Sequence, residues 1–263
     1  MKQRREFQLD LTETFPRLPA SPVVEAVLHW HARAGKTILG DELRKQLGER
    51  LPEYPEYRPQ HQLELQAQFT ADGSSTQVRP DNWHGFRLTS RDRLQIVQFT
   101  RDGIVFSRLA PYDNWDAFAA EGRRLWRVFV QLAEPSEVQR LGVRFINRIL
   151  PVKLADVGHH LASPPKCLEP LGLPMSGFLY QSLHDVPAEP FQINVVQTLQ
   201  PPAPPQPGGF GLILDIDVFT TRAFLPVDDI LGEHLAKMRW LKNKVFFGLM
   251  SKRAIKSFSK GEK

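Results

Sequence analysis

The chain has 263 residues, 41% hydrophobic and 24% charged, with a net charge of +5, which reads as a soluble globular protein of one large domain or two small ones and excludes global disorder. A single cysteine, Cys167, excludes intrachain disulfides, four-cysteine zinc ribbons and iron–sulfur clusters. No run approaches the ~20 apolar residues of a membrane span, and no apolar segment follows the basic start, so the expected location is the cytoplasm. The charge is uneven: residues 237–263 hold nine Lys/Arg and one acid, leaving 25 Lys/Arg against 28 Asp/Glu in residues 1–236.

In chain order, PVVEAVLHWHAR (22–33) alternates as a strand, with Glu25, Val27, His29 and His31 on one face. ILGDELRKQLGERL has helical spacing. Residues 61–69 alternate as a half-solvated strand, ADGSSTQVRPDN reads as loop, and GFRLTS, RLQIVQF and IVFSRL form a meander of short strands. Residues 113–133 carry the clearest amphipathic helix, with Asp113 as the expected N-cap. VQRLGVRFINRILPV (138–152) is a strand with Arg144 and Arg148 on one face, and LADVGHHL is a short helix. Residues 176–184, 190–199 and 210–219 are strands, the last two joined by PPAPPQPGG, a stiff loop rather than a polyproline ligand. Residues 227–250 form a final helix with Ile230, Leu231, Leu235, Met238, Leu241 and Val245 inward.

Both parts of the chain end with a strand, a proline, an aspartate and a long helix. The expected class is α+β, with two similar β-α-β(3-4)-α halves at 22–134 and 138–250. Each half is expected to be an antiparallel sheet with long amphipathic helices on one face, in the order of the TATA-binding-protein and helix-grip folds. An N-terminal arm (1–21) and a basic tail (251–263) flank the halves.

Chemistry-bearing residues are sparse. His29 and His31 resemble a metal half-site, but His61, His84, His159, His160, Asp215 and Asp217 lie at no diagnostic ligand spacing, so no metal or cofactor is expected. Asp215 and Asp217 share a strand face and could hold Mg²⁺, but arginines at the same period offer counter-charge. The preferred reading is a sheet-face ion network of Glu25, Arg144, Asn147, Arg148, Asp215 and Asp217. No nucleophile elbow, P-loop or dinucleotide fingerprint is present, and Cys167 has no signature of a nucleophile, so no catalytic residue is assigned. Aromatic and basic residues interleave near the C-terminus, which points to Arg239, Trp240, Lys242, Lys244, Lys252 and Arg253 as a partner-binding surface.

PVVEAVLHWHAR, DGIVFSRLAPYDNWDAF, LGVRFINRI and LILDIDVF, in that order over residues 16–258, resemble a sporadically distributed family of uncharacterised bacterial proteins. The resemblance implies recurrent roles for Glu25, Arg144, Asn147, Asp215 and Asp217. The ending LMSKRAIKSFSKGEK is more basic than the acidic or mixed ending usual in that family. Its patchy distribution implies a defence-linked or toxin–antitoxin setting. The resulting expectation is a non-enzymatic binding, regulatory or adaptor protein with a protein partner. The alternative is a nucleic-acid-binding protein, with or without a metal-dependent nuclease site at Asp215 and Asp217.

Overall fold

A computed structural model describes residues 7–37, 39–70, 73–166, 172–201 and 209–260, with 62–70 and 73–82 described as backbone only. Cys167 and most of the PPAPPQPGG loop lie outside the described residues. Within them the order is β1 (Val23–Arg33), α1 (Gly40–Arg50), β2 (Glu56–Thr70), β3 (Gly73–Thr89), β4 (Gln95–Thr100), β5 (Gly103–Leu109), α2 (Trp115–Ala133), β6 (Glu137–Val152), α3 (Val157–His160), β7 (Leu179–Asp185), β8 (Gln192–Gln200), β9 (Phe210–Thr220), α4 (Asp228–Leu249) and α5 (Lys252–Phe258).

The class is α+β, but the expectation of two separate β-α-β(3-4)-α halves, joined edge to edge or packed face to face, is overturned. All nine strands form one antiparallel sheet in the order β2-β3-β4-β5-β1-β6-β9-β8-β7. The join is β1 against β6, paired from Val23–Asn147 to Arg33–Glu137. Its physical reason is hydrogen-bond satisfaction: β1 and β6 would each present an open backbone edge at the centre of the molecule, and pairing closes both. The two separate halves expected in the TATA-binding-protein and helix-grip order give way to this one continuous sheet.

Alternation sets the two faces. Ala26, Leu28, Trp30 and Ala32 of β1 are fully buried, as are Leu141 and Val143 of β6 and Leu214, Ile216 and Val218 of β9. Against them lie α2, which contacts β1 and β5, and α4, which contacts β6 and β9. Trp30 and Trp126 stack with centroids 5.7 Å apart. Gly122 permits this approach, because a Cβ there would overlap Leu28 Cδ1. Asn114 caps α2, its Oδ1 accepting from the Ala117 amide at 2.9 Å; Asp113, the expected cap, instead accepts from Arg108.

Two local expectations change. The stretch read as loop after residue 70 is largely strand: β3 starts at Gly73 and pairs with β2 from Thr70–Gly73 to Glu56–Thr89. Only Gly85–Thr89 of β3 also pairs with β4, so the rest of the hairpin is a two-stranded ribbon running past the sheet. Pro59 is tolerated in β2 because β2 is an edge strand and owes no second ladder hydrogen bond. The basic tail carries α5, capped by Ser251 and anchored by Ala254 and Phe258, both buried. The arm crosses α4 and α5: Phe7 and Phe15 meet the Trp240 ring edge-on at 5.9 and 6.4 Å, and the Ala20 amide donates to the Phe258 carbonyl. No helix among the described residues is long and apolar enough to cross a membrane.

Candidate functional site

The face turned away from α2 and α4 gathers charge along β1, β6 and β9. Register places Arg144 beside Asp217 and Ile146 beside Asp215. Arg144 Nε donates to Asp215 Oδ1 at 2.9 Å and Oδ2 at 3.1 Å, and Nη2 also donates to Oδ2. Arg140 Nη2 donates to Asp217 Oδ2 at 3.0 Å, while Nη1 lies 3.0 Å from His29 Nδ1. Glu25, opposite Ile146, adds to the field on Arg144. The hydrogen bonds to Asp215 lead in raising the Arg144 pKa. Burial raises the Asp217 carboxyl against the pull of Arg140 and Arg144. Burial, reinforced by Arg140, pushes His29 down to about 4.

Two expected members depart from this network. Asn147 is buried on the opposite face, where its Nδ2 donates to the carbonyls of Leu214 and Phe145; the odd positions of β6 face the helices. Arg148 shares the face of Arg144 but forms no ion pair among the described residues, and its Nε is buried without a partner. Arg140 is not among the expected residues, although it continues the same alternating row. Gly142 makes room for it, since a Cβ there would fall 2.5 Å from Arg140 Nη1.

Next to this network a cavity of about 360 Å³ collects His29, His31, His61, His84 and Asp102. His31 Nε2 lies 3.1 Å from Asp102 Oδ2, and His84 Nε2 lies 3.5 Å from Asp102 Oδ1. Among the described residues no group of three or more His, Cys, Asp or Glu side chains is arranged to hold a metal ion. His159 pairs with Asp156 instead.

The C-terminal residues do not form one partner surface. Trp240 is buried at 4% exposure beneath Phe7 and Phe15, so the aromatic ring expected to meet a partner is covered by the chain's own arm. Lys244 Nζ pairs with Glu13 of the arm at 2.7 Å. Arg239 Nη1 lies 3.3 Å from Asp116 Oδ1, and its guanidinium sits over Trp115. Only Lys252 and Arg253 stand exposed, on α5, without an ion pair among the described residues.

Lys242 points inward. With Arg239, Tyr112, Trp115, Phe145 and Asn147 it lines a cavity of about 470 Å³ between the arm, the β5–α2 junction and α4. Its Nζ stands 3.9 Å from the Phe145 ring centroid. Burial, with the like charge of Arg239, lowers its pKa to about 7.

At one edge of the sheet, β7 has no outer neighbour among the described residues. Leu179, Tyr180 and Leu183 are 72%, 50% and 59% exposed. Beside it a cavity of about 870 Å³ is lined by Tyr180, Ile193, Val195, Val245 and Leu249. Neither a protein-family model nor a curated protein matches this chain.

Proposed function

We propose that the protein is a non-enzymatic adaptor or regulatory protein whose protein partner adds an extended segment to the β7 edge. The observation that carries this reading is β7 itself: an outer strand, unpaired among the described residues, with large apolar side chains exposed on both faces. Leu179 and Leu183 share one face, and Tyr180 lies on the other at the apolar cavity. Natural edge strands usually carry charge, proline or a covering element, which block such pairing. An incoming strand would gain backbone hydrogen bonds along the edge and place alternate side chains in the cavity. The carboxylates of the nuclease alternative are engaged instead, Asp215 by Arg144 and Asp217 by Arg140. The family resemblance adds a bacterial defence or toxin–antitoxin setting to this reading.

The test is cross-linking in the cell of origin followed by affinity isolation. The comparison is between the natural protein, a Leu179→Glu/Leu183→Glu variant and a Lys252→Glu/Arg253→Glu variant. Loss of the recovered protein with the β7 variant alone supports the adaptor reading. Recovery that survives the β7 variant, but fails with the α5 variant or after nuclease treatment, replaces it with nucleic-acid binding through the basic helix.

A further inference from the structure

The cavity beneath the arm contains two donors with nothing to donate to. Lys242 Nζ, over the Phe145 ring, forms neither a hydrogen bond nor an ion pair among the described residues. The Tyr112 hydroxyl is buried without a hydrogen-bond partner among them, and its ring meets the same Phe145 edge-on at 5.3 Å. Buried polar groups in folded proteins are nearly always paired; the Tyr112 hydroxyl is fully buried and Lys242 half-buried. Here two orphans from different elements, α4 and the β5–α2 junction, flank one ring and line one cavity.

The nearby carboxylates are engaged elsewhere. Asp113 accepts from Arg108 at 2.9 Å, and Asp116 lies 3.3 Å from Arg239. Neither forms an ion pair with Lys242. Part of the wall is flat and aromatic: Trp115 stacks on Phe145 at 6.4 Å, and Phe15 stacks on Phe247 at 5.3 Å. The volume, about 470 Å³, falls within the range of sites that enclose a small molecule.

We infer that this cavity binds a small organic anion with a flat apolar body, its acid group received by Lys242 and Tyr112 and its body by the aromatic walls. The inference is independent of the β7 edge and adds a small-molecule effector to a protein read as an adaptor. The required ligand chemistry follows from what is missing. An acceptor is needed to take both donors, a negative charge to compensate the ammonium, and a planar surface to fill the space between the rings.

Binding is then coupled to a proton. The ionisable groups facing Lys242 are Arg239 from its own helix, Tyr112, Asp113 and Asp116 from the β5–α2 junction, and Arg17 from the arm. β6 and β9 contribute the uncharged Asn147, Phe145 and Ile216. With a pKa of about 7, Lys242 is mostly neutral at pH 8, and an anion beside it restores the ammonium form. Complex formation at pH 8 therefore takes up a proton, and affinity falls as pH rises.

The test is isothermal titration of the full chain at pH 8 in two buffers of different ionisation enthalpy, with naphthoate, its uncharged amide and inorganic phosphate as probes. Naphthoate is expected to bind at least about tenfold tighter than either other probe, with net proton uptake. Lys242→Met should weaken naphthoate by about tenfold or more and leave the amide unchanged. Tyr112→Phe should weaken naphthoate by a smaller factor, and it serves as the second variant if Lys242→Met does not fold. The inference is overturned by any of these results: the amide or phosphate binding as tightly as naphthoate, no proton uptake, naphthoate affinity unchanged in both variants, or no binding of naphthoate at all.

Discussion

The two sides of the central strands treat charge in opposite ways. On the side away from the helices, Arg140 and Arg144 each meet a carboxylate, and Gly142 gives way so that the Arg140 guanidinium can lie flat. On the helix side, Lys242 is held over Phe145 with no ion pair among the described residues, beside a tyrosine hydroxyl with no partner there. A paired charge on a sheet face explains itself as structure, since the pair offsets its own desolvation. A cation without an ion pair among the described residues has no such offset. Charge is thus matched within the fold on one face and left without an ion pair among the described residues on the other.

The largest effect on the paired side should come from acid. His29 is neutral in the fold, with a pKa near 4, whereas the unfolded chain takes up its proton near 6.5. Stability is therefore fully present above pH 6.5 and is lost as pH falls towards 4, by up to about 3 kcal/mol. Urea denaturation of the natural protein and of His29→Gln between pH 4 and 7 should show a steeper slope in the former. Equal slopes would mean that Arg140 and burial do not hold His29 neutral.

Next comes Arg144→Ala, which leaves Asp215 desolvated at 12% side-chain exposure without its partner. A loss of about 2 kcal/mol is expected, below that of a fully buried pair because Arg144 is 47% exposed and screened by water. Adding Asp215→Ala should restore part of that loss in a double-mutant cycle. Additive losses would show that the pair is not coupled.

On the unpaired side the sign reverses. Lys242→Met should stabilise the protein by about 1–2 kcal/mol, because an uncompensated ammonium leaves the interior. Lys242 in the fold releases its proton near pH 7, while the unfolded chain keeps it to about 10.5. The natural protein should therefore gain stability between those values, and the variant should lack that rise. A destabilised variant would assign Lys242 a structural role. Smallest of all, Tyr112→Phe should change stability by less than about 0.5 kcal/mol, since its hydroxyl has no partner to lose.

Period-2 alternation in ILDIDVF and RFINRI is enough to place Asp215, Asp217, Arg144 and Arg148 on one face. Extended by four residues it would also find Arg140, two strand repeats before Arg144. The same alternation puts Asn147, at an odd position of β6, with Phe145 towards the helices; its place in the expected network comes from the family resemblance instead. Trp240 escapes for a different reason. It lies beside the inward stripe of α4, and helical spacing alone leaves it free, whereas Phe7 and Phe15, more than 200 residues earlier, cover it. Tyr112 carries no local signal, because a tyrosine in an irregular junction acquires meaning only from the absence of a partner in three dimensions.

The sequence by itself determined the α+β class, most of the strands and the two long helices, because alternation and helical periodicity are local properties of apolar spacing. It also determined that charges would accumulate on β6 and β9. Only the tertiary structure decided that the strands form one sheet, because β1 and β6 had to close each other's open edges. It alone decided that the arm would consume the C-terminal aromatics and, among the described residues, that β7 would be an edge and Lys242 would line a cavity without an ion pair. These outcomes depend on which distant segments meet, and a linear pattern of residue types carries no record of those meetings.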